Sequence, residues 1–207
     1  MAGAAGLLGV SGLRPHRNNS RAGGVALTTS RVSVRQDAWR VLRLTWPVVE
    51  PRLRTSGREF CGPFHTVAGY HLGWHDEHGE PVAARGGKAV RPALTLLAAE
   101  EAGGPVDAAV AVELVHNFSL VHDDVMDEDV RRRHRGTVWS VFGVPVAILT
   151  GDAKLVAAQQ VLIASGHHSA VRALTELTGA TQRMLHGQLM DVASSRAGTW
   201  TSVSAWR

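Results

Sequence analysis

Five carboxylates fall within seven residues in the run Asp123-Asp124-Val125-Met126-Asp127-Glu128-Asp129, and Arg131, Arg132, Arg133 and Arg135 follow at once. Unit charges a few ångströms apart repel by roughly 1 kcal/mol per pair in water, and by several times more near a protein surface. Such a cluster calls for a cation. On a helix, Asp123 and Asp127 lie one turn apart and project side by side, with Asp124 about 100° around the axis. Hard oxygen donors at that spacing suit Mg²⁺, which keeps several waters and commonly shares its shell with phosphate groups. The adjacent guanidinium groups could serve the same phosphates with paired N–H donors. The plainer reading is a solvated helix end whose acids and arginines pair with each other, and the cluster alone does not choose between the two.

The elements that must position these residues read as helices. From Asp107 to Asp127 breakers are few, and Val110, Leu114, Val115, Phe118, Val121 and Val125 fall along one side. A second stripe carries His116, Leu120, Asp123 or Asp124, and Asp127 at spacings of three and four. One helix thus presents an apolar face to a core and an acidic face elsewhere. Before it, Pro92 at an N1 position, the run Ala93 to Ala102 and Gly103-Gly104 give a short helix with a preferred start and stop. After it, Pro145 to Ser165 and Ser169 to Val192 read as two more helices, the second N-capped by Ser169. Val34 to Arg54 has near-helical apolar spacing that Pro47 and Pro51 interrupt, predicting a broken first helix. Pro63 to Arg85, rich in Gly and His, predicts a loop or a short helical turn. No useful β-alternation is present, so the fold class is all-α.

Composition limits the rest. With 207 residues and 44% apolar content, the chain can bury one core. The net charge of +4 is uneven: residues 1–58 hold 10 Arg against Asp37 and Glu50, and residues 59–207 hold 12 Lys and Arg against 16 Asp and Glu. The basicity belongs to the N-terminal part, of which residues 1–33 read as a disordered basic arm; without interleaved aromatics it lacks a stacking platform for nucleic acid. Residues 34–192 form the helical domain, and 193–207 read as an irregular tail. Cys61 is the single cysteine and can form neither an internal disulfide nor a thiolate metal site. No uninterrupted apolar stretch has the length of a membrane span, and Met1 to Val10 lacks the basic start of a signal peptide. A cytoplasmic location is expected. The histidines of His71-Leu72-Gly73-Trp74-His75-Asp76-Glu77-His78 could ligate zinc, but a flexible polar loop is the simpler reading.

Beyond the acidic run stand Gly87-Lys88-Ala89-Val90-Arg91-Pro92, His116-Asn117-Phe118-Ser119-Leu120-Val121-His122-Asp123-Asp124, Arg132-Arg133, Gly151-Asp152 and Gly187-Gln188-Leu189-Met190-Asp191. In order and spacing, from about His71 to Asp191, these resemble the polyprenyl (isoprenyl diphosphate) synthase family, with its GKxxRP, DDxxD, Arg pair and GQxxD signatures. The resemblance implies an isoprenoid-synthase-type helical bundle. It implies that Asp123, Asp124 and Asp127 are the catalytic carboxylates and hold Mg²⁺ against an allylic diphosphate, which Arg132 also contacts. Lys88, Arg91, His116 and Arg133 would bind the diphosphate of isopentenyl diphosphate, and Gln188 would belong to the same substrate site. Phe118, five residues before Asp123, stands where an aromatic limits product length in the family, implying a product of farnesyl or geranylgeranyl size.

Two departures accompany the likeness. The family's second Asp-rich motif is missing, since the only acids after Asp129 are Asp152, Glu176 and Asp191. The bundle is therefore expected to be incomplete and prenyltransferase activity impaired. In His134-Arg135-Gly136-Thr137 the family usually carries Gly before Arg135 and Pro after it. The competing readings are a non-catalytic subunit or inactive remnant packing on a full-length homologue, or as a homo-oligomer, and a terpene cyclase. A cyclase has no extender and so no need for Lys88 and Arg91.

Overall fold

The computed structural model describes residues 31–58, 63–82, 90–101 and 106–195. Seven helices and one small ribbon occupy them: α1 Arg31–Arg58, α2 Pro63–Leu72, α3 Val90–Glu101, α4 Val106–Met126, β1 Arg131–Arg132, β2 Arg135–Gly136, α5 Val138–Phe142, α6 Val144–Ala164 and α7 Ala170–Ser195. The all-α class holds. Residues 1–30 of the basic arm, Cys61, Lys88 and most of the Ser- and Trp-containing tail lie outside the described residues, and residues 31–33 already belong to α1.

α4 is the central element, packed most extensively on α6 and also on α3 and α1. Its apolar stripe is buried as the periodicity predicts, with Val110, Leu114 and Val121 at 1% exposure or less. Each such side chain contributes roughly 1.5–3 kcal/mol by leaving water. Val49 and Leu53 of α1, Trp74, and Ala158 and Val161 of α6 complete the main core cluster. A second cluster joins Val67 and Tyr70 of α2 to Val121, Val138 and Ala147. The helix is not simply two-faced, however, because Glu113, Asn117, Ser119 and Asp124 are buried as well. Gly151 explains part of the close α4–α6 approach: a Cβ there would collide with the His122 ring.

Three local expectations are corrected. α1 runs unbroken through Pro47 and Pro51. Both prolines are exposed and one turn apart, so they share the solvent side of the helix. Of the two readings of Pro63 to Arg85, the helical one holds over Pro63–Leu72, as a ten-residue helix and not a single short turn, and Gly73 to His78 form a turn. Gly73 ends α2 at φ 77, Asp76 Oδ1 accepts from the His78 and Glu80 amides at 2.9 Å, and His75 bridges to Pro81. Gly69 leaves the room on α2 that the His75 ring fills. The segment after α4 is a two-residue hairpin, with Arg131 paired to Gly136 and Arg132 to Arg135.

α6 is long and apolar enough by composition to cross a membrane. It also carries Asp152 and Lys154, and it packs along α4. Large apolar side chains remain exposed on α6 and α7, including Ile163 at 63%, Val171 at 78% and Leu189 at 56%.

Candidate functional site

The site gathers at the C-terminal end of α4, where the acidic run leaves the helix. Asp123 is half-buried, and the Gln188 amide of α7 donates to its Oδ1. Burial, and then the charge of Asp127, hold its carboxyl above the usual range. Asp127 is exposed one turn further on, its amide donating to the Asp123 carbonyl at 2.8 Å. Among the described residues neither carboxylate forms an ion pair; the pairs nearby are Arg132–Asp124 and His122–Asp152.

Asp124 points elsewhere. At 1% exposure it accepts from Arg132 Nε at 2.6 Å, while its Oδ2 is buried without a hydrogen-bond partner. Burial raises its pKa more than Arg132 lowers it. The predicted carboxylate trio is thus divided into a pair, Asp123 and Asp127, and an internal anchor. Among the described residues no three His, Cys, Asp or Glu side chains converge to enclose a metal ion.

The hairpin places its arginines beside a cleft of about 280 Å³, lined among others by His71, Asn117, Leu120, Asp124, Arg132 and Arg133. On its far wall the Asn117 amide nitrogen donates to the Glu113 carbonyl at 2.7 Å and to Glu113 Oε1 at 3.1 Å. That fixes Asn117 Oδ1 towards His71 Nε2 at 3.1 Å, so the histidine must donate from Nε2. Burial and then the charge of Lys154 push the His71 pKa well below its ordinary value, which keeps the ring neutral.

Arg91 opens α3 next to His116, with Nη1 donating to His116 Nε2 at 3.1 Å. Burial, then Arg91, pull the His116 pKa down to about 4. The imidazole is neutral, accepts at Nε2 and keeps Nδ1–H as a donor. Phe118 lies in the main core at 3% exposure, edge-on to His122 with centroids 4.7 Å apart. Tyr70 was not named from the sequence, whereas His71 stood in the histidine-rich stretch, Asn117 in the motif before the acidic run and Arg135 in the arginine cluster.

The polyprenyl synthetase family model matches residues 73–206. The chain is 46% identical over 157 residues to the (2E,6E)-farnesyl diphosphate synthase of Mycobacterium tuberculosis, covering 74% of this chain and 44% of that protein. It is 48% identical over 132 residues to the geranylgeranyl diphosphate synthase of the same organism, covering 62% and 34%. Among solved structures, a polyprenyl synthetase from Streptomyces coelicolor superposes with a TM-score of 0.73 at 47% identity, covering 77% of this chain and 48% of that one. The chain therefore spans less than half the length of these relatives.

Proposed function

This chain belongs to the polyprenyl synthetase family, and from that premise we propose that it supplies the first diphosphate-binding wall of a trans-prenyltransferase. The reaction would condense isopentenyl diphosphate with an allylic diphosphate, giving a product of farnesyl or geranylgeranyl size in the cytoplasm. The observation that carries this reading is the assembly at the end of α4, where the paired carboxylates Asp123 and Asp127 adjoin a hairpin of arginines locked down through Asp124. Acid and base are adjacent there without cancelling each other.

Asp123 and Asp127 fit a hard divalent ion. They are exposed or half-buried oxygen donors one turn apart, and the Asp123 pKa is raised by burial first and then by the charge of Asp127, both of which a bound cation would offset. Magnesium, when bound, would neutralise the leaving diphosphate. The chain's own residues would do the rest. Gln188 orients Asp123, and Arg132 and Arg133 present guanidinium donors to diphosphate oxygens. Arg91 and the His116 Nδ1–H would hold the extender's diphosphate, with Lys88, outside the described residues, as a further contact.

As the allylic C–O bond breaks, its electron pair leaves with diphosphate and the allylic carbon becomes cationic. The extender's double bond attacks that carbon, and loss of a proton restores an alkene. Charge fixed in advance beside the leaving group lowers the cost of that separation. Leu120 supplies apolar wall at the cleft. We assign Phe118, deeper on the same helix, the length-limiting role through the core it fills.

Incubation of the protein with Mg²⁺, geranyl or farnesyl diphosphate and labelled isopentenyl diphosphate tests the proposal. Elongation of the labelled product supports it. Diphosphate release with a cyclic hydrocarbon would assign a cyclase, and binding of both substrates without turnover would assign a non-catalytic subunit.

A further inference from the structure

The base of the arginine hairpin is tied to its own neighbourhood: Thr137 Oγ1 and Trp139 Nε1 both donate to the Asp129 carbonyl, and Ser140 Oγ to that of Val130. Its tip has one local tie, Arg131 Nη2 donating to the His134 carbonyl at 2.9 Å. The turn residues Arg133 and His134 both adopt left-handed backbone angles, φ 50 and φ 68, without a glycine to favour them. The ties that join the ribbon to the helices around the cleft come from Arg132 and Arg135.

Arg132 and Arg135 are cross-strand partners and therefore project to the same face. Arg132 reaches α4 through Asp124. Arg135 reaches α2: its guanidinium lies 4.3 Å above the Tyr70 ring, Nη1 donates to the Tyr70 carbonyl at 3.2 Å, and Nη2 donates to the His75 carbonyl at 2.7 Å. Tyr70 returns the contact, its hydroxyl donating to the Gly136 carbonyl at 2.8 Å. Tyr70 is itself buried and packed edge-on against Phe142, with centroids 5.2 Å apart. Gly136 leaves no space for slack, since a Cβ there would stand 2.8 Å from Val141 Cγ2.

We propose that Arg135 is a positioning residue which, with Tyr70, fixes the hairpin so that Arg133 is presented at the cleft for diphosphate. This rests on the functional reading above. Arg135 also lines the cleft, but two of its donors are committed to carbonyls and its flat face to a ring, so its proposed role is exerted through the ribbon. Lysine keeps the charge but can reproduce neither the stacking nor the two-carbonyl fork.

The test compares wild type with Arg135→Lys, Arg135→Met and Tyr70→Phe, each confirmed as folded by its thermal transition. Amide hydrogen exchange over residues 131–137 is read without ligand, and binding of inorganic pyrophosphate by calorimetry. The expected result is faster hairpin exchange in all three, with pyrophosphate binding weakened about tenfold or more in Arg135→Lys as well as Arg135→Met. Tyr70→Phe should lie between these and wild type. Unchanged exchange, full rescue by lysine, or faster exchange with undiminished binding would each overturn the inference. Failure of the wild-type protein to bind pyrophosphate would instead bring down the functional reading on which it rests.

Discussion

Arg132 Nε lies 2.6 Å from Asp124 Oδ1, eight residues back in the chain, so the ribbon that leaves α4 folds over that helix's last turn. The carboxylate is almost wholly buried and the guanidinium about one third exposed. Asp124 thereby ceases to be a free member of the acidic cluster and becomes the point at which acid and base are joined.

Arg132→Met strands that carboxylate with both oxygens unpaired. An orphaned buried polar group costs about 1–3 kcal/mol, and more when charged. We expect urea unfolding at pH 7 to show a loss of that order. Combining it with Asp124→Leu should restore much of the loss, because no buried charge is then left behind. Equal stability of Arg132→Met and wild type would show that the pair holds nothing in place.

Lys154 is fully buried on α6 and donates to the Ala68 carbonyl of α2 at 3.4 Å. Burial lowers its pKa from 10.5 to about 7. Between about pH 7 and 10 the unfolded chain therefore binds more protons than the folded one, and stability rises with pH across that window. Below it the penalty is fully present, on the order of 4 kcal/mol from the size of the shift. Lys154→Met should be more stable than wild type at pH 7, and the two curves should converge towards pH 10. A constant difference across that range would contradict the assignment.

His116 titrates far below neutrality while Arg91 donates to its Nε2. Affinity for isopentenyl diphosphate should therefore show no step from this group between pH 5.5 and 8, so calorimetric curves for wild type and His116→Gln should run parallel. A transition near pH 6.5 present only in wild type would mean that the imidazole is charged when it binds.

His134 holds φ 68 at the second position of the hairpin turn, a conformation glycine adopts without steric cost. His134→Gly should stabilise the protein by about 0.5–1 kcal/mol, the relief of strain exceeding the added freedom of the unfolded chain. A fall in the thermal midpoint would show that the imidazole makes a stabilising contact.

Much of this was legible in the sequence, and the rest was hidden for physical reasons. α4, α6 and α7 declared themselves because their burial is periodic, and the motif residues Arg91, His116, Asp123 and Gln188 fall on helices that periodicity could place. The bond from Gln188 to Asp123 draws two distant motifs together. The burial of Asp124 was not legible, since its partner arrives on a ribbon whose arginines carry little strand preference. The length of α2 was underestimated because glycine and histidine disfavour a helix locally, while Gly69 is there to admit the His75 ring. The continuity of α1 was missed because two prolines on its wet side cost less than they would against a core.

The central claim is that Asp123 and Asp127 hold a divalent ion between the protein and a diphosphate ester. Calorimetric titration of geranyl diphosphate into wild type and Asp123→Ala, each with and without Mg²⁺, measures it directly. Mg²⁺-dependent binding by wild type that disappears in Asp123→Ala, with the variant's thermal transition intact, is the predicted result. Equal Mg²⁺-dependent affinity in the two proteins would contradict the account.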